Sequence, residues 1–392
     1  MDLMARISLF SFILFVVFSI SNFYFTVYFQ HKGLNNSEIG LVMGLSSAIS
    51  IFVQPVWGVV SDRYRTVKKV LLFLLAASLL MSVPLFMANG LTQILIMMSL
   101  FTFFYAATGP MAESLMIKHA YEHNRNFGSI RLWGEVGCGV GAVVFGMLTD
   151  MIGVAYLGWM FLACTAASLV SLAALSDAKA VSVPVTKESL VRLGSNRKFL
   201  LFLGLVLLIA IPHRMNDVFL PIYIQTLGGA QSDTGVSLLV ATLCGVPTMA
   251  LAGHLFKRYN EISLMSVAAA CYAARWLIIS VADSPELVFA GQVLQIFTYP
   301  IVLMAAVQLI HIHVPLELKA TGQTIFTAVF AGIGGIVGST AGGWILDVFP
   351  HQTGYAIGAA LALAASVLIL LCKPCLVSKR KAAAKPVQTG VS

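Results

Sequence analysis

The sequence predicts an all-α integral membrane protein with twelve transmembrane helices in two pseudo-symmetric six-helix bundles. Three observations support this. Of the 392 residues, 59% are apolar and 10% are charged, whereas a soluble domain carries about 25% charged residues. Long apolar runs recur along the whole chain, and motifs in the first half return in the second. The composition excludes a soluble enzyme, a nucleic-acid-binding domain and a disordered scaffold.

Each apolar run is long enough to be a membrane-spanning helix, since about 20 residues cross roughly 30 Å of hydrocarbon. None shows the alternation of a barrel strand. Turn residues such as Lys32-Gly33 and Asp283-Ser284-Pro285 separate the runs. The predicted spans are about 7–29, 38–60, 70–89, 91–117, 130–149, 154–176, 199–224, 232–256, 262–281, 284–312, 319–346 and 352–372.

One long polar interruption divides the chain into two sets of six spans. It predicts an N-terminal bundle over 1–176, a cytoplasmic central loop over 177–198 and a C-terminal bundle over 199–375. The basic segment 376–392 is expected to be a disordered tail. The first span is followed by no small-residue cleavage site, so we expect it to be a retained helix.

The basic residues predict the orientation. If both termini face the cytoplasm, 21 of the 24 Lys and Arg lie in inner segments, Lys32 lies in an outer loop, and two lie within spans. This asymmetry is the positive-inside pattern. The net charge of +8 therefore reports topology, and we expect the lipid bilayer rather than a nucleic acid as partner. We also expect a monomer in a bacterial inner (cell) membrane.

Two motifs recur in both halves. Gly58-x-x-x-Asp62-Arg63 follows the second span, and Gly253-x-x-x-Lys257-Arg258 follows the eighth, 195 residues later. A glycine and an aspartate four residues apart end the fifth span and, 197 residues later, the eleventh; these pairs are Gly146 with Asp150 and Gly343 with Asp347. Duplicated six-span units keep one orientation, and such parallel halves occur in transporters whose substrate site lies between them near the midplane.

These features resemble the major facilitator superfamily across essentially the whole chain. The segment after the second span resembles that superfamily's loop motif between the second and third helices. The resemblance implies a cytoplasmic gate in which glycine allows close helix approach and an Asp and an Arg pair across the inner face in a closed state. The implied gate residues are Gly58, Asp62, Arg63 and Lys68, with the degenerate copy at Gly253 and Arg258.

A second resemblance lies in the fourth and fifth spans. Pro110-Met111-Ala112-Glu113 is followed, 18 residues later, by Arg131-Leu132-Trp133-Gly134. This pattern is similar to the oligosaccharide and nucleoside proton symporters and the phenylpropionate-transporter-like branch, the lactose permease relatives. The resemblance implies that Glu113 and Arg131 hold the hydroxyl groups of a solute.

The chain departs from that branch in its tenth span. Counted from Arg275, the positions that resemble the branch's tenth-helix Lys, His and Glu are Gln292, Gln295 and Thr298. The branch's proton-binding carboxylate is therefore missing, and the proton site cannot be carried over. The fifth span also lacks the Gly-Pro signature of drug–proton antiporters, which disfavours an exporter.

Charges within spans are functional candidates, because each costs about 2.5–3.5 kcal/mol on insertion scales. Arg131 and Glu135 are four residues apart on one helix face, and Glu113 on the neighbouring helix could reach the same guanidinium. One Arg between two carboxylates would leave one carboxylate free to take up a proton, since like charges repel. We hypothesise a proton- and substrate-responsive centre here. Alternatively, Arg131 snorkels at the inner edge with Glu135 as its structural partner.

The seventh span carries a second charged stretch. Arg214 and Asp217 are three residues apart and could pair, between Pro212 and Pro221, which kink helices. The stretch suits a gate or cavity wall, or a structural ion pair. Arg275 has no acid within a turn, so Asp217 or the substrate could neutralise it. The candidate substrate- or proton-binding residues are Glu113, Arg131, Glu135, Arg214, Asp217, Arg275, Asn22, Gln292 and Gln295.

The functional prediction is secondary transport by alternating access, with proton-coupled uptake of a small polar solute such as a sugar, oligosaccharide or nucleoside. If Arg131, at the inner end of the fifth span, is counted with the residues within spans, three acids and three bases there sum to zero charge, which favours an uncharged solute. Uptake of an aromatic or small carboxylate, proton-driven export of amphipathic compounds and a transport-dead sensor are the alternatives. We expect no enzyme activity, no metal and no cofactor, and no phosphate-cradling GxxxxGK[ST] motif is present.

Overall fold

The computed structural model describes residues 3–123, 127–177 and 192–376. Within these ranges, eleven helices are long and apolar enough to cross a membrane, which agrees with the predicted all-α, multi-pass architecture. Another long helix, Gln231–Arg258, occupies the place of the predicted eighth span. Because it is not among the eleven, the count of twelve spans stays a prediction. Most of the predicted central loop and nearly all of the predicted tail lie outside the described residues.

We number the helices in chain order. They are α1 (Met4–His31), α2 (Asn36–Tyr64), α3 (Lys68–Met87), α4 (Leu91–Glu122), α5 (Phe127–Ile152), α6 (Val154–Ala173), α7 (Arg197–Thr226), α8 (Gln231–Arg258), α9 (Glu261–Ser280), α10 (Pro285–His313), α11 (Thr321–Val348) and α12 (His351–Leu376).

Local sequence signals explain where several helices begin and end. Gly33 follows α1 with φ 86°, a conformation that glycine adopts without steric cost. Asn35 then starts α2, because its side chain accepts from the Glu38 backbone N–H while the Glu38 carboxylate accepts from the Asn35 N–H. Asn260 caps α9 by accepting from the Ile262 N–H. These helix starts satisfy backbone donors that would otherwise have no partner.

The helices pack as two groups. In the first half α1 packs along α5 and α6, and in the second half α9 packs along α12 and α10. Two seams join the groups, one between α2 and α11 and one between α5 and α8. The seams are related by the internal repeat, since α8 corresponds to α2 and α11 to α5. The symmetry expected from the repeated motifs therefore appears in the packing.

Glycine makes both seams possible at close range. A Cβ on Gly343 of α11 would lie 2.2 Å from the Asn36 carbonyl oxygen of α2. A Cβ on Gly235 of α8 would lie 2.5 Å from the Ala142 carbonyl oxygen of α5. Real Cβ contacts do not approach so closely, so a larger residue at either place would separate the helices.

Of the described helices, α4 is interrupted by a turn at residues 106–107, and three others depart from α-helical geometry in their interiors. α1 contains a π-helical turn at Ile20–Tyr24, α10 a 3₁₀ turn at Leu294–Phe297, and α11 a π-helical turn at Ala328–Ile333. Such breaks occur frequently at functional sites, and discontinuous helices form the substrate sites of many transporters. The first two contain candidate residues, Asn22 and Gln295.

Candidate functional site

Glu113, Arg131 and Glu135 form one cluster at the α4–α5 contact. Arg131 Nη1 donates to Glu113 Oε1, and Arg131 Nη2 lies 3.0 Å from Glu135 Oε1. The guanidinium also lies 4.6 Å from the centroid of the Phe15 ring on α1. The side chains of Glu113, Arg131 and Glu135 are 44, 34 and 31% exposed. Two acids thus share one base, and all three side chains are partly exposed.

A second cluster lies on α7. Arg214 Nη1 donates to Asp217 Oδ2 at 2.9 Å, as the spacing predicts. His213 Nε2 lies 3.7 Å from the same oxygen. Pro212 and Pro221 both lie inside the helix around this stretch. Asp217 therefore forms its salt bridge with Arg214, a cation of its own helix.

Arg275 on α9 is buried, with 2% of its area exposed. Its guanidinium donates to the amide oxygens of Gln292 and Gln295, both on α10, and lies 4.8 Å from the Trp276 ring centroid. Gln292 in turn donates to Ser237 Oγ of α8 at 3.0 Å. The carboxylate considered as its partner, Asp217, is paired with Arg214 instead. Three of the candidate residues thus form one polar network among α8, α9 and α10.

Tyr299 lies between the two charged clusters. Its ring stacks on His213, with centroids 5.2 Å apart and planes 4° apart. It also interacts electrostatically with Arg131 and Glu135 of α5 and with Arg214 and Asp217 of α7. The cluster of the first bundle therefore faces that of the second near Tyr299. From the sequence, Tyr299 was one of several uncharged polar residues that could line a cavity, but its stacking on His213 was not predicted.

Asn22 is the candidate residue that lies on an irregular turn of the backbone. Its side chain is exposed on the π-helical turn of α1. The preceding residue, Ser21, has its hydroxyl 2.7 Å from the Tyr105 hydroxyl of α4. The irregular turn thus fixes one side chain against α4 and leaves Asn22 accessible.

Among the predicted cytoplasmic gate residues, Gly58 has no close neighbour in this structure. A Cβ on Gly58 would meet no atom within 4 Å, so no close helix approach occurs at this glycine in this conformation, and the gate stays a prediction. Arg63 is exposed, and Arg258 lies 5.6 Å over the ring of Tyr259. The physical reason is that the bundles meet at the opposite end. The other two gate residues of these helices are Asp62, which lies in α2, and Gly253, which lies in α8.

Lys68 takes a role inside the first bundle. Its Nζ donates to the Ala173 carbonyl at 2.8 Å and to the Leu175 carbonyl. Its backbone N–H donates to Asp177 Oδ1 at 3.0 Å. A cation at a helix C-terminus stabilises the partial negative charge there. The bonds of Lys68 therefore hold the start of α3 against the end of α6.

Two aspartates join the bundles at the end where α2 and α8 begin, which we term the closed end. Asp150, at the end of α5, accepts from the first two backbone N–H groups of α8, both at 2.8 Å. Asp347, at the end of α11, accepts from the first two N–H groups of α2, at 3.0 and 2.7 Å. Helix N-termini carry unpaired donors and partial positive charge, so each carboxylate is a cap supplied by the other bundle.

The sequence showed the repeat of these two aspartates but not what they bind. The signal was the same Gly-x-x-x-Asp pattern at the end of α5 and of α11. Within residues 3–123, 127–177 and 192–376, no group of three or more His, Cys, Asp or Glu is placed to hold a metal ion.

Two helical bundles joined at one end, with charged side chains exposed between them, define the class of membrane transporters built from parallel repeats. The family model described as the MFS_1 like family matches residues 4–357. The chain therefore belongs to this family of the major facilitator superfamily, and it is a secondary transporter rather than an enzyme.

The similar proteins agree with this family. The chain is 28% identical over 342 residues to maltose permease of Geobacillus stearothermophilus, covering 86% of each chain. It is 23% identical over 316 residues to the probable 3-phenylpropionic acid transporter of Escherichia coli (strain K12), covering 79% of this chain and 82% of that one. The crystal structure of the nucleoside transporter NupG matches with a TM-score of 0.84 at 14% identity, over 95% of this chain and 99% of that chain. This last likeness concerns the fold alone.

Proposed function

We propose that the protein takes up a small, polar, uncharged solute, such as a sugar, an oligosaccharide or a nucleoside, in symport with protons. The observation that carries the proposal is the position of Arg131 between Glu113 and Glu135. The protein works in a bacterial inner membrane as a monomer, with the proton gradient as its energy source and no cofactor.

The cluster can serve both solute and proton. A guanidinium and carboxylates form strong, oriented hydrogen bonds with hydroxyl groups. Because one guanidinium balances one carboxylate, the second carboxylate has a net charge that a proton can neutralise. A solute hydroxyl that replaces Glu113 or Glu135 at Arg131 alters which carboxylate needs the proton. Solute and proton binding are thereby linked at one arginine.

A relative supports the solute class. Maltose permease, a relative by sequence, is named for a polar, hydroxyl-rich solute. The three acids and three bases within the spans, with Arg131 counted among them, leave no net charge for an ionic solute to balance. Alternating access follows from the same fold, because opening of the closed end would expose the clusters to the other side of the membrane.

A carboxylate solute is the second candidate. The buried Arg275 is hydrogen-bonded to two neutral amides, neither of which carries a charge that balances its own. A relative is named as a probable 3-phenylpropionic acid transporter. An anion could displace Gln295 from this guanidinium, with Arg214 as a further cation nearby. Proton-driven export of amphipathic compounds would use the same fold and has no residue in the described structure that favours it.

The test is proton movement in proteoliposomes. We would add sugars, nucleosides and aromatic acids separately and record alkalinisation of the outside medium. We expect a response to one class of uncharged solute, and we expect Glu113→Gln to abolish it. Glu261→Gln is the matched control, because Glu261 is an acid at the start of α9, away from the Arg131 cluster.

The other results are distinguishable. A response to aromatic acids alone would establish uptake of a carboxylate solute. Silence across the panel, with dye efflux under an imposed proton gradient, would establish the exporter. If Glu113→Gln and Glu135→Gln both transport with unchanged pH dependence, the Arg131 cluster is not the proton- and substrate-responsive centre.

A further inference from the structure

His213 is a buried imidazole that the proposed uptake mechanism does not use. Its Nδ1 lies 3.1 Å from the Tyr272 hydroxyl of α9. Its ring stacks on Tyr299 of α10 and lies 5.4 Å from the ring of Phe330. Phe330 belongs to the π-helical turn of α11, a kind of irregularity that is common at functional sites. Three neighbouring helices therefore hold the ring in one orientation.

With Nδ1 directed at the Tyr272 hydroxyl, Nε2 is the ring nitrogen that faces Asp217. Nε2 lies 3.7 Å from Asp217 Oδ2, too far for a hydrogen bond. The same oxygen accepts from Arg214 Nη1 at 2.9 Å. One carboxylate oxygen is thus shared by two bases, and in this structure Arg214 holds it. A proton on Nε2 would make the imidazolium a second charged donor for that oxygen.

The surrounding charges decide whether His213 or Arg214 binds Asp217 Oδ2. On α7 the ring faces Asp217 and Arg214, and on α9 it faces Arg275 and Tyr272. Tyr299 is the titratable neighbour on α10, α11 contributes the apolar Phe330, and Tyr355 of α12 lies near Asp217. Burial opposes a charge on the ring most strongly, two arginines add to that opposition, and one carboxylate favours the charge. His213 can therefore keep a proton only if Asp217 turns from Arg214 towards it.

Arg214 connects this pair to the closed end. A Cβ on Gly335 of α11 would lie 2.5 Å from Ser47 Oγ of α2 and 3.7 Å from Arg214 Nε. A Cβ on Gly338 would lie 3.2 Å from Arg214 Cβ. Arg214 therefore lies where α7 packs on α11 at the α2–α11 seam. Its Nε is buried and has no hydrogen-bond partner in the described part of the chain, so the bond to Asp217 is what positions the side chain.

We propose that His213 is a proton acceptor that controls opening of the closed end. A proton on Nε2 draws Asp217 away from Arg214. The released guanidinium, whose Nε is buried beside Gly335 without a partner in the described part of the chain, then destabilises the α2–α11 seam. A low pH on the loading side thus favours separation of the bundles there, and loss of the proton restores the closed end. The inference rests on the proposed proton coupling, to which it adds a second titratable group.

The test measures the closed end directly and needs no solute. Thr92 and Gln352 are exposed residues at the starts of α4 and α12, which belong to different bundles. In a background without the six native cysteines, spin labels on Thr92→Cys and Gln352→Cys report the distance between the bundles in nanodiscs. Between about pH 8 and about pH 5, the range in which histidine titrates, we expect the long distance to gain population. The ratio of open to closed should change by at most about tenfold per pH unit, the limit for one proton.

Variants identify the group responsible. His213→Asn and His213→Gln should each show the same distance distribution at every pH. Two variants are used so that a folding defect in one of them does not decide the result. His311→Asn, an exposed histidine in the last turn of α10, should keep the pH response. An unchanged response in both His213 variants, or no response in the parent protein, overturns the proposal.

The result separates this inference from the proposed uptake. A pH response that depends on His213, in a protein that moves protons with no solute of the panel, would support the switch and reject the symport. Solute-driven proton uptake that persists in both His213 variants, with an unaltered distance response, would support the symport and reject the switch.

Discussion

At the scale of single residues, Arg275 shows how a buried cation can be held without a carboxylate. Its guanidinium is bonded to Gln292 and Gln295, and Gln292 has no exposed area. Burying an unpaired charge is costly, and two amide oxygens and the face of Trp276 supply the compensating contacts. The network also ties α9 to the 3₁₀ turn of α10. We therefore expect Arg275 to stabilise the helix break as well as to carry charge.

Removal of this cation should leave buried acceptors without donors. Arg275→Leu should lower the free energy of unfolding by about 1–3 kcal/mol, the usual cost of an unsatisfied buried polar group. The double variant with Gln292→Leu should be more stable than Arg275→Leu, because it also removes the stranded amide. Thermal unfolding in detergent, followed by circular dichroism, gives the order. Arg258→Leu, on an exposed residue, is the control. A double variant less stable than the single one would contradict a structural role for the network.

At the scale of secondary-structure elements, the closed end depends on two helix starts. Asp150 and Asp347 each cap the first turn of a helix in the other bundle. These bonds must break when the bundles separate, whereas the caps made by Asn35 and Asp233 stay within their own helices. The two kinds of cap thus act on different equilibria. The first acts on the opening of the closed end, and the second acts on the folding of the helix itself.

Asp150→Ala and Asp347→Ala should therefore shift the protein towards the open state. Loss of a capping side chain costs about 1 kcal/mol, which corresponds to an approximately fivefold change in the open-to-closed ratio. The effects should multiply in the double variant, because the two sites do not touch. The spin-label distance between the starts of α4 and α12 measures the ratio. Asp233→Ala is the matched control, and an equal shift in it would show that capping in general, rather than the contact between bundles, is responsible.

At the scale of the whole molecule, the sequence predicted what depends on composition and local spacing. Eleven of the twelve predicted spans coincide with helices that are long and apolar enough to cross a membrane, and the contact of Arg131 with Glu135 follows from a four-residue spacing on one helix. The partners of Arg275 and the stacking of Tyr299 on His213 were not predictable, because they depend on how each helix is rotated against its neighbours. The role of Asp347 was also hidden, since its partners are backbone N–H groups, which no side-chain pattern marks.

The orientation of the whole chain is the remaining prediction from charge. Single cysteines in a cysteine-free background should show which loops an impermeant thiol reagent reaches in intact cells. Asn89→Cys lies in a predicted outer loop and Ser195→Cys in the predicted inner one, so they calibrate the two sides. Thr226→Cys and Tyr259→Cys flank α8, and we expect the first to react from outside and the second only after the membrane is opened. Basic residues resist translocation, and Lys257 and Arg258 lie at the Tyr259 end.

This pair of cysteines also decides the number of spans. If Thr226→Cys and Tyr259→Cys react from the same side, α8 does not cross the bilayer, and the helices after it would have the opposite orientation. The second bundle would then be inverted relative to the first, and Asp150 and Asp347 could not both act at one end. Opposite reactivity would instead give twelve crossings with both termini inside. Both aspartate caps would then lie on the outer face, where the proposed import requires the closed end to open for loading.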